Sequence, residues 1–205
     1  MSQALGVLTM TSSLVVHAKE ILVHPREEWR VIDGEQVTPA SLFQSYVFPL
    51  AAIGPLAATI GMTVFGISIP FVGRYRQPVG SAIASGIVRY VLSLVGVYVL
   101  ALIIDALAPT FGGQKSRLQA LKLAVYASTA AWLAGVFALV PPLSILGVLG
   151  LYSLYLLYTG MPVLMKAPQE RATGYTAAVV VCAIVIFAVV GWVAALFTGH
   201  PTLVR

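Results

Sequence analysis

The stretch that decides the fold is LAVYASTAAWLAGVFALVPPLSILGVLGLYSLYLLYTGMPVLM, Leu123–Met165. Its 43 residues contain no Asp, Glu, Lys or Arg, and two consecutive prolines, Pro141 and Pro142, stand near the middle. A helix rises about 1.5 Å per residue, so roughly 20 apolar residues cross a bilayer. The stretch therefore holds two spans, with the proline pair marking the reversal between them.

Working outward, the rest of the chain repeats this pattern. Spans are expected at about 46–69, 81–107, 122–140, 143–165 and 176–197, each of about 19 to 27 residues. The composition agrees: 59% of the 205 residues are hydrophobic and only 9% charged, against about 25% charged in ordinary soluble domains. Mean hydropathy is +0.94. The fold class expected is all-α, a polytopic integral membrane protein with five transmembrane helices in one bundle. Residues 43–205 form the membrane domain, and residues 1–42 a cytoplasmic segment with short amphipathic helices.

The net charge is +5, but the basic residues are scattered over short loops rather than gathered in a stripe. Nucleic acid is therefore not an expected partner. The loop charges speak of orientation instead. Lys19, Arg26, Arg30, Lys115, Arg117, Lys122, Lys166 and Arg171 fall on one side, and Arg74, Arg76 and Arg205 on the other. The positive-inside rule then places the N-terminus in the cytoplasm and the C-terminus outside, as an odd number of spans requires. Met1–Met10 lack the basic start of a secretory signal. The single cysteine, Cys182, sits in an apolar run and reads as a small packed residue without a disulfide partner.

Ahead of the first span, Leu14, Ala18, Ile21 and Leu22 recur at helical spacing, with Lys19 and Glu20 off that line. This predicts a short amphipathic helix lying on the cytoplasmic bilayer face. Pro25, followed by Glu27 and Glu28, starts a second helix, on which Trp29 is expected to anchor at headgroup level. Asp33-Gly34 reads as a turn, and Thr38-Pro39 as the start leading into the first span. That span carries Pro49, Gly54, Pro55, Gly61 and Gly66, which interrupt a regular helix. Such interruptions are either inert kinks or the broken helices of a transport site. The third span has two rows of small residues, Ala127-Ala131-Gly135 and Ala130-Ala134-Ala138. These let helices approach closely and predict the packed centre of the bundle, most sensitive to bulk at Ala131.

Few residues offer chemistry. Arg89 and Asp105 are the ionisable residues of the second span, and intramembrane charges usually have a partner or a watery route. One reading is an interfacial Asp105–Lys122 pair with a snorkelling arginine; the other is a polar path. Tyr152, Tyr155 and Tyr158 form a stripe in the fourth span. There Tyr155 falls near mid-bilayer, where its hydroxyl needs a partner such as Ser128, Thr129 or a freed carbonyl of the first span. His17, Glu20 and His24 share one helical face, but three ligands without a fourth make a poor zinc site. No metal, no cofactor and no catalytic residue is expected. The chain has no nucleophile elbow, no His-Glu-x-x-His and no phosphate-binding loop.

Taken together, His24–Ile32, Tyr46 with Pro49–Ile53, and Tyr126–Met165 resemble the Yip-one domain family of five-span membrane proteins, first named as Ypt/Rab-interacting. The helix ending Tyr158-Thr159-Gly160-Met161-Pro162 is similar to its short bacterial branch in particular. The resemblance implies five helices, a cytoplasmic N-terminus and residence in a bacterial inner membrane. It also marks Pro25, Tyr126, Pro141, Tyr155, Tyr158, Gly160 and Pro162 as family-like positions with structural roles. Eukaryotic relatives act in vesicle traffic and contact prenylated Rab GTPases. Their acidic-leucine-glycine-proline motif is absent ahead of the first span here, so Rab binding is not implied. The expectation is a non-enzymatic interaction or membrane-organising protein. Lipid is its surrounding, and the sequence leaves open a protein partner at the N-terminal segment and a homo-oligomer. The alternative is a small transporter or channel, with Arg89, Asp105, Lys122, Tyr126, Tyr155 and Tyr158 beside the broken first helix as its polar path.

Overall fold

The computed structural model describes residues 14–69 and 73–197. Two short helices, α1 (residues 14–23) and α2 (Pro25–Gly34), precede α3 (Pro39–Phe65), α4 (Val79–Phe111), α5 (Arg117–Leu139), α6 (Pro141–Leu164) and α7 (Gln169–Phe197). Between α3 and α4 the chain turns through a two-stranded antiparallel ribbon. Its strands are β1 (Ile67–Ile69) and β2 (Gly73–Tyr75), with Ser68 opposite Arg74. Met1–Ser13, His200 and Arg205 lie outside the described residues, and with them the signal-peptide reading and the C-terminal side of the orientation argument.

Among the described residues four helices, α3 to α6, are long and apolar enough to cross a membrane. They overrun the expected spans at several ends; α5 begins at Arg117, which carries Lys122 inside its second turn. The start of α3 follows its sequence signal. The Ser41 N–H donates to Thr38 Oγ1 (3.1 Å) and the Thr38 N–H donates to Ser41 Oγ (3.0 Å), a reciprocal cap ahead of Pro39. The proline pair also behaves as its position suggests: α5 ends at Leu139, and α6 restarts at Pro141.

The interruptions of α3 do not break it. A π-turn over Phe43–Val47, closed by the Phe48 N–H on the Phe43 carbonyl, adds a residue just before Pro49, which has no N–H to offer. The helix continues through Pro55 to a second π-turn over Gly61–Phe65. It ends at Gly66, whose φ of +67° suits glycine alone.

The glycines of α3 serve contact. A Cβ on Gly135 would stand 2.7 Å from the Gly54 Cα, and one on Gly61 would stand 2.2 Å from the Ala138 carbonyl oxygen. Helices α3 and α5 therefore meet backbone to backbone, the close approach that small residues permit in lipid. Consistently, 67% of the apolar window of α5 is buried, against 22–33% for the other three. Its centre of contact differs from the expectation in one respect. Ala131 is exposed at the side of a groove, and Gly135 is the position with no room.

Candidate functional site

A network of charged and polar side chains gathers at one end of the bundle, where α1 and α2 seat on α5 and α6. Helix α2 shows why they seat there. Pro25, Glu28, Trp29 and Ile32 are buried while Arg26, Glu27, Arg30 and Val31 are exposed, a clean amphipathic split. Trp29 is fully buried rather than lodged among headgroups. Its indole N–H donates to Thr159 Oγ1 (3.1 Å), and its ring lies against Gly160, where a Cβ would come within 2.8 Å of it. The family-like Gly160 is thus a seat for the tryptophan. Helix α1 buries Ala18 and Ile21, and its Leu22 carbonyl accepts the Tyr152 hydroxyl (3.1 Å). It is docked into the bundle, where the amphipathic pattern alone suggested a helix resting on the bilayer.

His17 lies between two carboxylates, its Nδ1 2.5 Å from Glu28 Oε1 and its Nε2 3.0 Å from Glu35 Oε1. The hydrogen bond to Glu35 raises its pKa; burial opposes this, and Glu28 adds to the rise. The imidazole is pushed up to about 9 and is a cation at neutral pH. For Glu35 burial works upward, but the bond and charge of His17, with the Tyr126 hydroxyl, leave its carboxyl below the usual range. The Tyr126 hydroxyl donates to Glu35 Oε2 (3.2 Å), its ring packs 4.7 Å from that of Tyr46, and the Tyr46 hydroxyl reaches Thr129 Oγ1 (2.9 Å). His17, Glu35, Tyr46 and Tyr126, with Ser41 and Gln44, border a cavity of about 360 Å³.

Lys122 is 1% exposed and corrects the expected pairing with Asp105. Its ammonium donates instead to the Ile32 (2.8 Å) and Glu35 (2.6 Å) carbonyls. Those are the end of α2, which has no basic residue in its own last turn. A lysine ninety residues away in sequence supplies the cation that the negative pole of the helix favours. Beside it, Gln119 Nε2 donates to Asp33 Oδ1 (3.1 Å), and Lys166 pairs with Asp33 Oδ2 (2.5 Å). Lys166 is held at φ +54°, the left-handed cap position usually given to glycine, and its charge is used there.

The other expected site residues stay apart. Arg89 is exposed and enters no ion pair among the described residues. Asp105 is buried elsewhere, at the end of α4. Tyr155 is 40% exposed, with its ring 5.3 Å from that of Tyr152. It does not reach Thr129, which is taken by Tyr46, nor Ser128, whose hydroxyl donates to the Ala124 carbonyl. Tyr158 is half-buried. His17, Glu20 and His24 do not meet at one point: His24 pairs with Glu20 (2.9 Å) while His17 turns inward to Glu28.

Sequence reasoning missed Glu28, Asp33, Glu35, Tyr46, Gln119, Thr129 and Lys166. A signal existed: five of the seven acidic residues lie within Glu20–Glu35, a density that nearby basic loops would neutralise.

Comparison with known proteins places this architecture. The inner membrane protein YohC of Escherichia coli strain K12 is 24% identical over 177 residues, covering 84% of this chain and 91% of YohC. The same protein of Escherichia coli O6:H1 strain CFT073 matches to the same extent. No solved structure matches. With its membrane-length helices, the chain is an integral membrane protein of the inner membrane. The Yip1 domain matches residues 19–200, from within α1 to beyond α7, so the match takes in cap and bundle alike and the chain belongs to the Yip1 domain family.

Proposed function

We propose that this is a non-enzymatic membrane protein that organises or recruits other components at the cytoplasmic face, with the docked α1–α2 cap as its contact surface. One observation carries this reading. The cap is locked to the bundle by buried charges, while its outer side presents Lys19, Arg26, Glu27 and Arg30 among exposed Val15, Val16, Val23 and Val31. A rigid mixed basic and apolar face suits a protein surface or anionic headgroups. The apolar run from Ala172 to Phe197 in α7 contains no charged residue and packs against α4 and α6. It would be a fifth span, setting the N-terminus inside and the C-terminus outside. Lys115→Cys and Arg205→Cys, each made in a Cys182→Ser background, should then label from opposite faces of the membrane.

The transport alternative draws little support, since Arg89, Asp105 and Tyr155 occupy three separate places. The deciding experiment joins Lys19→Glu, Arg26→Glu and Arg30→Glu in the full chain. Partner recovery from cross-linked membranes should be lost with melting in detergent unchanged. Solute flux in liposomes that disappears in Arg89→Ala, Asp105→Asn and Tyr155→Phe would replace this reading with the transporter.

A further inference from the structure

A second site lies at the same end of the bundle, apart from the cap network. Asp105 is 5% exposed, and its Oδ1 is buried without a hydrogen-bond partner. No basic group lies within ion-pair reach of it among the described residues. The neighbouring Tyr175 does not serve it, since that hydroxyl is committed to the Ile104 carbonyl. A buried carboxylate left in this state is costly, which points to a donor that arrives from outside the chain.

Asp105 borders a cavity of about 180 Å³ whose other walls include Pro39, Tyr98, Leu102, Leu121 and Arg117. Arg117 is exposed and also free of ion pairs among the described residues. Above the cavity, Val91, Val95, Tyr98 and Leu102 recur along one face of α4, 48%, 51%, 51% and 42% exposed. Within a membrane span such a face meets acyl chains. A lipid-facing strip thus runs down to a recess with a carboxylate on one wall and a guanidinium on another.

The chemistry narrows the occupant. A metal or alkali ion would use neither Arg117 nor the apolar strip. An anionic headgroup would meet Asp105 as a like charge. A choline headgroup brings positive charge but no N–H for the Asp105 carboxylate. We propose that the recess binds a phospholipid with a primary-ammonium headgroup, of the ethanolamine type. Its ammonium bonds Asp105, its phosphate meets Arg117, and its chains lie along the α4 strip.

The test is native mass spectrometry of the full-length protein in detergent, offered phosphatidylethanolamine, phosphatidylcholine or phosphatidylglycerol of matched chains. Phosphatidylethanolamine should be retained about tenfold better than the other two, as a lost charge-assisted hydrogen bond dictates. Asp105→Asn should erase that preference, and Arg117→Gln should weaken retention. Equal retention of the ethanolamine and choline lipids by the wild-type protein overturns the proposal. So does an undiminished preference in Asp105→Asn. Complete displacement by soluble glycerophosphoethanolamine would show a pocket for the headgroup alone and would also overturn it. Should Asp105→Asn fail to remain monodisperse, the wild-type comparison and the exposed Arg117→Gln variant decide.

Discussion

The two ends of this bundle are held by opposite means. At the cap end His17, Glu28, Glu35, Lys122, Asp33 and Lys166 join α1 and α2 to α5 and α6 through ions and charged hydrogen bonds. Toward the other end, Gly54 against Gly135 and Gly61 against Ala138 join α3 to α5 with no side chain between them. The difference follows from the solvent. Near water, ions can be half-hydrated and half-paired, and their geometry can adjust. In lipid no group of comparable strength is affordable, and attraction comes from dispersion at close range. The apolar contact should therefore be intolerant of added volume, and the ionic one sensitive to proton concentration.

The sharpest way to break this contrast is volume. Gly135→Leu places a side chain where even one carbon falls 2.7 Å from the Gly54 Cα. Folded protein should be lost from detergent-solubilised membranes, as read by gel filtration, whereas Ala131→Leu on the exposed groove should remain monodisperse. Next in size is Trp29→Ala. Emptying the fully buried indole site should cost about 3–5 kcal/mol, measured by denaturant titration in mixed micelles.

Proton dependence distinguishes the cap from the interior. The folded-state pKa of His17 is raised from 6.5 to about 9. Its contribution to stability is therefore fully present below 6.5 and is lost as pH rises through about 9. Glu35, shifted down from 4.5, acts in the other direction: its contribution is present above 4.5 and is lost as pH falls through its lowered value. Thermal stability of the wild type should decline between pH 6.5 and 9, and His17→Gln should flatten that decline. The smallest change is expected at Tyr155. Its hydroxyl makes no hydrogen bond among the described residues that Phe would forfeit, so Tyr155→Phe should shift stability by no more than about 0.5 kcal/mol.

The four membrane-length helices were legible in the sequence, because each of their signals is local. A charge-free run, Pro141-Pro142 and Thr38-Pro39 announce a span, a reversal and a helix start without reference to any distant residue. The cap network is of another kind. Lys122 caps a helix that ended some ninety residues earlier, and Trp29 bonds a threonine 130 positions away. Nothing beside Lys122 in sequence marks α2 as its destination, whereas Asp105 stood nearer along the chain and drew the expected pairing. Trp29 misled for a similar reason. Tryptophan next to an amphipathic helix suits a bilayer boundary, and only the glycine at position 160 reveals a slot for it.

The tryptophan slot also bears on how the chain is made. Trp29 leaves the ribosome early, yet the residues that receive it, Thr159 and Gly160, are synthesised much later. Helices α1 and α2 must therefore wait, unburied, while α3 to α6 enter the bilayer. Their docking is a closing step of biogenesis, and a nascent chain stalled before α6 would still display Ile21, Trp29 and Ile32 to the quality-control machinery of the cell.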